Sequence, residues 1–138
     1  MTAKDIFHST VRNALEKEDW IITTDPLFIR SLGVELYIDL AAEKIIGAEK
    51  DGCKIAIEIK SFIGTSVISE FHKAVGQFLN YRLALKNQEP ERQLYLAVPE
   101  DTYETFFKID FVRLIIKEYQ IEIIVYNPEE ELIVKWET

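Results

Sequence analysis

The chain predicts an α/β (α+β) domain: a mixed central β-sheet flanked by helices, in the order αβββαβ, with a further helix and a β-hairpin at the C-terminus. Three observations carry that prediction. Residues 3–18 and 67–86 repeat apolar side chains at helical spacing, and residues 34–41 and 54–61 alternate apolar with polar side chains as strands do. The apolar run 93–98 is reached through the long helix, which implies a crossover to a parallel central strand.

One domain spanning residues 1–138 is expected from the length, with a core large enough to fold without staples. Cys53 is the single cysteine, so no internal disulfide can form, and it has no plausible metal or catalytic partner. No signal-like apolar segment opens the chain and no stretch approaches the roughly 18 apolar residues of a spanning helix, which predicts a cytoplasmic protein without a membrane partner. Sixteen Lys and Arg against 24 Asp and Glu give a net charge of -8. Such a chain repels polyanions, which argues against unaided binding to nucleic acid.

Taken in order, Thr2 and Asp5 are the predicted cap of a first helix over residues 3–18, in which Ile6, Phe7, Val11, Ala14 and Leu15 form the apolar face. His8 falls about 20° from Leu15 on the helical wheel, so it points toward the core or a cleft. A short strand at 20–24 ends at the turn signal Asp25-Pro26, and a loop containing Gly33 follows. Residues 34–48 and 53–62 then predict an antiparallel hairpin closed by Lys50-Asp51-Gly52, with Asp39 in the centre of its first strand. The helix at 67–86 carries an apolar stripe of Ile68, Phe71, Val75, Phe78 and Leu79, while Lys73, Gln77 and Tyr81 share another stripe. Lys73, Arg82, Lys86 and Arg92 form either a local basic edge or ordinary solvated charges. Residues 101–119 predict a helix broken near Ile109-Asp110. The hairpin of 121–126 and 132–136 around Asn127-Pro128 either completes the sheet or pairs across the edge of a homodimer.

In the stretch Lys54 to Ser61, Ile55, Ile57 and Ile59 share one face, leaving Glu58 and Lys60 together on the other. On its own this is either an ion pair on a wet sheet face or a pair of charges drawn into a protein interior, where a divalent cation would compensate them. If Asp39 and Glu58 lie on neighbouring strands, their carboxylates repel unless a proton or a metal sits between them.

Ile38-Asp39 and Glu58-Ile59-Lys60 resemble the two motif segments of the PD-(D/E)xK nuclease superfamily, the restriction-endonuclease-like fold. Gln77-x-x-x-Tyr81 resembles the auxiliary motif of its RecB-like branch. A resemblance to the XisH family covers nearly the whole chain: Ala3 to His8, Ala14-Leu15, Trp20 to Thr23, Asp25-Pro26-Leu27, Ile38 to Ala41 and Glu58 to Phe62. That family is named for a cyanobacterial fdxN-element excision controlling factor.

The resemblance implies an accessory factor in heterocyst-type DNA rearrangement, acting beside a site-specific recombinase and with a XisI-type partner protein. It also implies that Asp39, Glu58 and the Ile59 carbonyl hold Mg2+ (or Mn2+). Lys60 would position or deprotonate the attacking water, and Gln77 and Tyr81 would orient the lysine or the substrate. Relatives often carry a glutamate on the first helix, where this chain offers His8, with Glu16 as the fallback. Two functions follow: a metal-dependent endonuclease that reaches DNA with a partner's help, or a catalytically inactive nuclease-fold protein that regulates a recombinase.

Overall fold

The computed structural model describes residues 3–44 and 52–137. Helix α1 (Ala3–Lys17) precedes β1 (Ile21–Thr24), β2 (Leu27–Ser31), β3 (Val34–Ile38), β4 (Leu40–Lys44) and β5 (Cys53–Ile59). Next come α2 (Val67–Gln88), β6 (Arg92–Pro99), α3 (Glu100–Glu104), α4 (Asp110–Glu118), β7 (Ile123–Asn127) and β8 (Leu132–Glu137). Six strands form one mixed sheet in the order β1-β4-β5-β6-β7-β8, and β2 and β3 form a separate two-stranded ribbon. β5 and β6 run parallel, as the crossover through α2 predicted, β7 is parallel to β6 as well, and the remaining neighbours in the sheet are antiparallel. No described helix is long and apolar enough to cross a membrane.

Both faces of the sheet are covered, and that decides the environment of β5. On one side Val11 and Leu15 of α1 pack against Leu40, Ile55, Ile57, Tyr95, Ile124 and Tyr126. On the other, Phe71, Ala74, Phe78 and Leu85 of α2 pack with Ala41, Ala56, Leu94, Leu96 and Val98. The strands are therefore apolar on both faces, the pattern expected of a buried parallel segment. Glu58 and Lys60 project from the α2 side, and Glu58 is only 7% exposed, so the wet-face reading of this strand is excluded.

Several expectations change. The single strand predicted over 34–48 is two strands in different sheets, because the chain bends at Asp39 between β3 and β4. β3 instead pairs with β2, and Leu27, Ile29 and Ile38 of this ribbon turn inward onto α2. Its two-residue turn places both Leu32 (φ 48°) and Gly33 (φ 88°) in the left-handed region, and only Gly33 announces that conformation in the sequence. Ile68 of the predicted α2 stripe is exposed, while Ala74, Ala84 and Leu85 are buried. Arg92 is neither a basic edge nor a solvated charge: it is 8% exposed and bonded on all sides. The helical region after β6 breaks where predicted, through a 3-10 turn at Phe106–Lys108. The terminal hairpin extends the sheet beyond β6, with β8 at its edge. Thr2, the end of the predicted strand at 45–48, and Lys50 and Asp51 of the predicted turn lie outside the described residues.

Candidate functional site

At the C-terminal end of β5 the antiparallel ladder with β4 stops at the pair Leu40 and Ile57, so Asp39 and Glu58 stand opposite each other one position further on. There side chains replace the backbone rungs. The Ile59 amide donates to Asp39 Oδ2 at 2.8 Å, and the Asp39 amide donates to Glu58 Oε1 at 3.3 Å. Each carboxylate is thus fixed by the other residue's segment, which holds the two acids side by side across the bend. Lys60 Nζ lies 3.5 Å from Glu58 Oε2.

This cluster opens into a cavity of about 320 Å³ lined by His8, Asp39, Glu58, Ile59, Lys60 and Lys73, with Phe7, Ser61, Phe62 and Glu70 completing the wall. Three parts of the fold converge here: α1 brings His8, the start of β4 and the end of β5 bring the two acids and Lys60, and the first turns of α2 bring Glu70 and Lys73. The chain leaving Lys60 is anchored by Phe62, a buried residue at φ 55°. A bulky side chain adopts that backbone only where its surroundings impose it. Here its ring packs against Phe106 and Phe107, and these in turn against Phe71. Glu70 steadies the same loop by accepting from the Gly64 amide at 3.2 Å.

Burial and, secondarily, the neighbouring Asp39 push the Glu58 carboxyl up to about 7, with Lys60 and the Asp39 amide opposing them. Tyr81 is raised first by burial, then by the charges of Glu58 and Asp39, which places its hydroxyl in the field of the site. Gln77 behaves differently. Its Oε1 is buried without a hydrogen-bond partner, and neither Gln77 nor Tyr81 lines the cavity. Of the two first-helix candidates, His8 lines the cavity, while Glu16 pairs with Arg12 at 3.3 Å and does not. Among the described residues no three His, Cys, Asp or Glu side chains gather closely enough to hold a metal. The donors present nevertheless fit Mg2+, which takes one or two carboxylates and keeps several waters. A cation there would offset the strain that raises Glu58.

One functional neighbour escaped the sequence reading. Asp25, read as a turn residue, accepts from His8 Nε2 at 2.8 Å and from Arg12 Nη1 at 2.6 Å. A run of aspartate and proline encodes the turn, and nothing local encodes its contact with a helix 17 residues earlier.

Comparison with known proteins supplies a family. The model of the XisH protein family matches residues 1–134. The chain belongs to the XisH family. Two solved structures agree over nearly its full length. An XisH family protein from Nostoc punctiforme PCC 73102 is 50% identical, with a TM-score of 0.89, covering 97% of this chain and all of the other. A fdxN element excision controlling factor protein from Anabaena variabilis is 51% identical, with a TM-score of 0.88, covering 97% of this chain and 99% of the other. Comparison with curated proteins gives no match. The XisH resemblance of the sequence is therefore established, and the mixed sheet with its four helices is that of these structures.

Proposed function

We propose that this XisH protein is an accessory factor in the excision of a DNA element, and that it cleaves phosphodiester bonds with Mg2+ (or Mn2+) at Asp39, Glu58 and Lys60. The observation that carries the reading is the reciprocal bonding of Asp39 and Glu58, which sets two carboxylates beside Lys60 in one cavity. The family, and a relative described as a fdxN element excision controlling factor, support the DNA context. The same reading assigns the sheet and its motifs to the restriction-endonuclease-like fold.

In this reading Asp39 and Glu58 hold the cation, with the Ile59 carbonyl as a further oxygen ligand. When bound, the ion supplies positive charge to the phosphate oxygens and orients water. Lys60 positions the attacking water and offers positive charge as negative charge builds on the phosphoryl group. Tyr81, inside the field of both acids, orients Lys60 or the substrate backbone. The same reading gives Gln77 the same orienting role. A net charge of -8 supports delivery to DNA by a partner, of which a XisI-type protein and a site-specific recombinase are the candidates. The same charge favours the second reading, an inactive nuclease-fold protein that regulates the recombinase.

The test is cleavage of plasmid and short duplex DNA with Mg2+ or Mn2+, with and without the XisI-type partner. Cutting that disappears in Lys60→Ala, with calorimetric Mg2+ binding that disappears in Asp39→Asn, is the expected result. Inertness in the partner's presence leaves the regulatory reading standing.

A further inference from the structure

The geometry points to His8 as a proton donor to the departing sugar oxygen, with Asp25 as its positioning residue; this rests on the phosphodiesterase reading above. His8 lines the cavity with Asp39, Glu58 and Lys60. Its Nε2 is committed to Asp25 Oδ1 at 2.8 Å, and a carboxylate only accepts, so Nε2 carries a proton. Asp25 does not line the cavity, which leaves Nδ1 as the ring nitrogen available to a substrate there.

Two further facts favour proton transfer over metal ligation. No third His, Cys, Asp or Glu among the described residues gathers with the two acids into a metal cluster, so His8 shares their cavity without joining their donor set. Asp25 is itself held by Arg12 Nη1 at 2.6 Å, and Arg12 is tied to Glu16 one turn on. The chain Glu16, Arg12, Asp25, His8 fixes ring orientation and keeps a proton on Nε2, which is how an acid or base is oriented by a third group.

The step balances without another reactant. Water attacks phosphorus beside the Lys60 ammonium and yields its proton to solvent; the bond from phosphorus to the sugar oxygen breaks with its electron pair on oxygen; a His8 protonated on both ring nitrogens gives that oxygen the proton of Nδ1. Solvent then returns a proton to Nδ1. The division of labour places Lys60 at the attacking side and His8 at the leaving side.

The decisive experiment varies the leaving group. Cleavage of duplex DNA, whose sugar oxygen leaves poorly without a proton, is compared with cleavage of a nucleoside p-nitrophenyl phosphodiester, whose nitrophenolate needs none. His8→Ala is expected to lose roughly 100-fold on DNA and less than about fivefold on the nitrophenyl ester, and Asp25→Asn to show the same pattern more weakly. Should His8→Ala fail to fold, His8→Gln, which can still bond Asp25, takes its place. Equal losses on both substrates in a folded variant overturn the assignment while leaving the phosphodiesterase intact. An unaltered protein inert toward both substrates overturns both readings.

Discussion

The strand pair β5 and β6 carries a buried charge near each end, and the two are treated in opposite ways. Lys54 of β5 lies opposite Arg92 of β6, and Glu58 opposite Leu96, so about 13 Å of strand separates the two levels. Arg92 is 8% exposed and Glu58 is 7% exposed. The guanidinium is closed on every side: Nε donates to Glu89 at 3.0 Å, Nη1 to the Ile55 carbonyl at 2.9 Å, and Nη2 to Glu43 at 3.3 Å. The carboxylate of Glu58 has one amide at 3.3 Å, one ammonium at 3.5 Å, and a second acid alongside. A charge with a structural role is surrounded until nothing more can bind it. Glu58 is left short of partners, and the shortfall faces a cavity, as the proposed cation site requires.

If that contrast is right, the largest effect comes from opening the closed end. Arg92→Met keeps the length of the stem but leaves Glu89, Glu43 and two inward carbonyls without their cation, and should destabilise the protein by roughly 3–5 kcal/mol in urea unfolding. Lost activity in this variant should track lost fold. A change below about 1 kcal/mol would mean that the ring of acceptors contributes little, and the contrast with Glu58 would collapse.

The opposite sign is expected at the open end. Burial and Asp39 hold the Glu58 carboxyl at about 7 in the folded protein, above its ordinary 4.5. Between those values the folded state keeps a proton that the unfolded chain has released, so stability falls as pH rises through the window. With a chelator present, this group should remove on the order of 1–3 kcal/mol by the time the pH passes about 7. Glu58→Gln should flatten that fall and be the more stable protein on its alkaline side, while losing Mg2+ binding. An unchanged pH slope would show that Glu58 is already compensated by Lys60 and Asp39's amide, and that it resembles Arg92 after all.

The two ends also differed in how they were written in the sequence. Glu58 and Lys60 stand out because charges interrupt an apolar alternation, and the partner acid lies in an equally regular stretch, so the cluster was legible from spacing. Its setting was less so. Leu36, Ile38 and Leu40 keep period 2 straight through the bend at Asp39, so nothing local marks the change of sheet, and Leu32 hides the ribbon turn by adopting a conformation that glycine or asparagine usually signals. Arg92 was illegible for another reason. Two of its acceptors are main-chain carbonyls of Ala42 and Ile55, and a carbonyl is present at every residue whatever the side chain. The parallel order of β5, β6 and β7 was readable for β6 because a long helix must return the chain to the same edge, a constraint of topology more than of composition.

The smallest predicted effect separates redundancy from strength at the closed end. Glu43 touches Arg92 from a half-open position, its side chain 39% exposed, at 3.3 Å from Nη2. Water can reach that carboxylate, so its pairing is screened in a way that the buried contact to the Ile55 carbonyl is not. Glu43→Gln retains an oxygen able to accept from Nη2 and should change the unfolding free energy in urea by less than about 1 kcal/mol, with little dependence on salt. Lys60→Met is the matching change at the other end. It removes the one cation beside Glu58, so the carboxyl should hold its proton to still higher pH and the alkaline loss of stability in the metal-free protein should steepen. A large effect from Glu43→Gln would mean that Arg92 depends on each partner as Glu58 depends on Lys60, and that closure at that end is a matter of one contact instead of many.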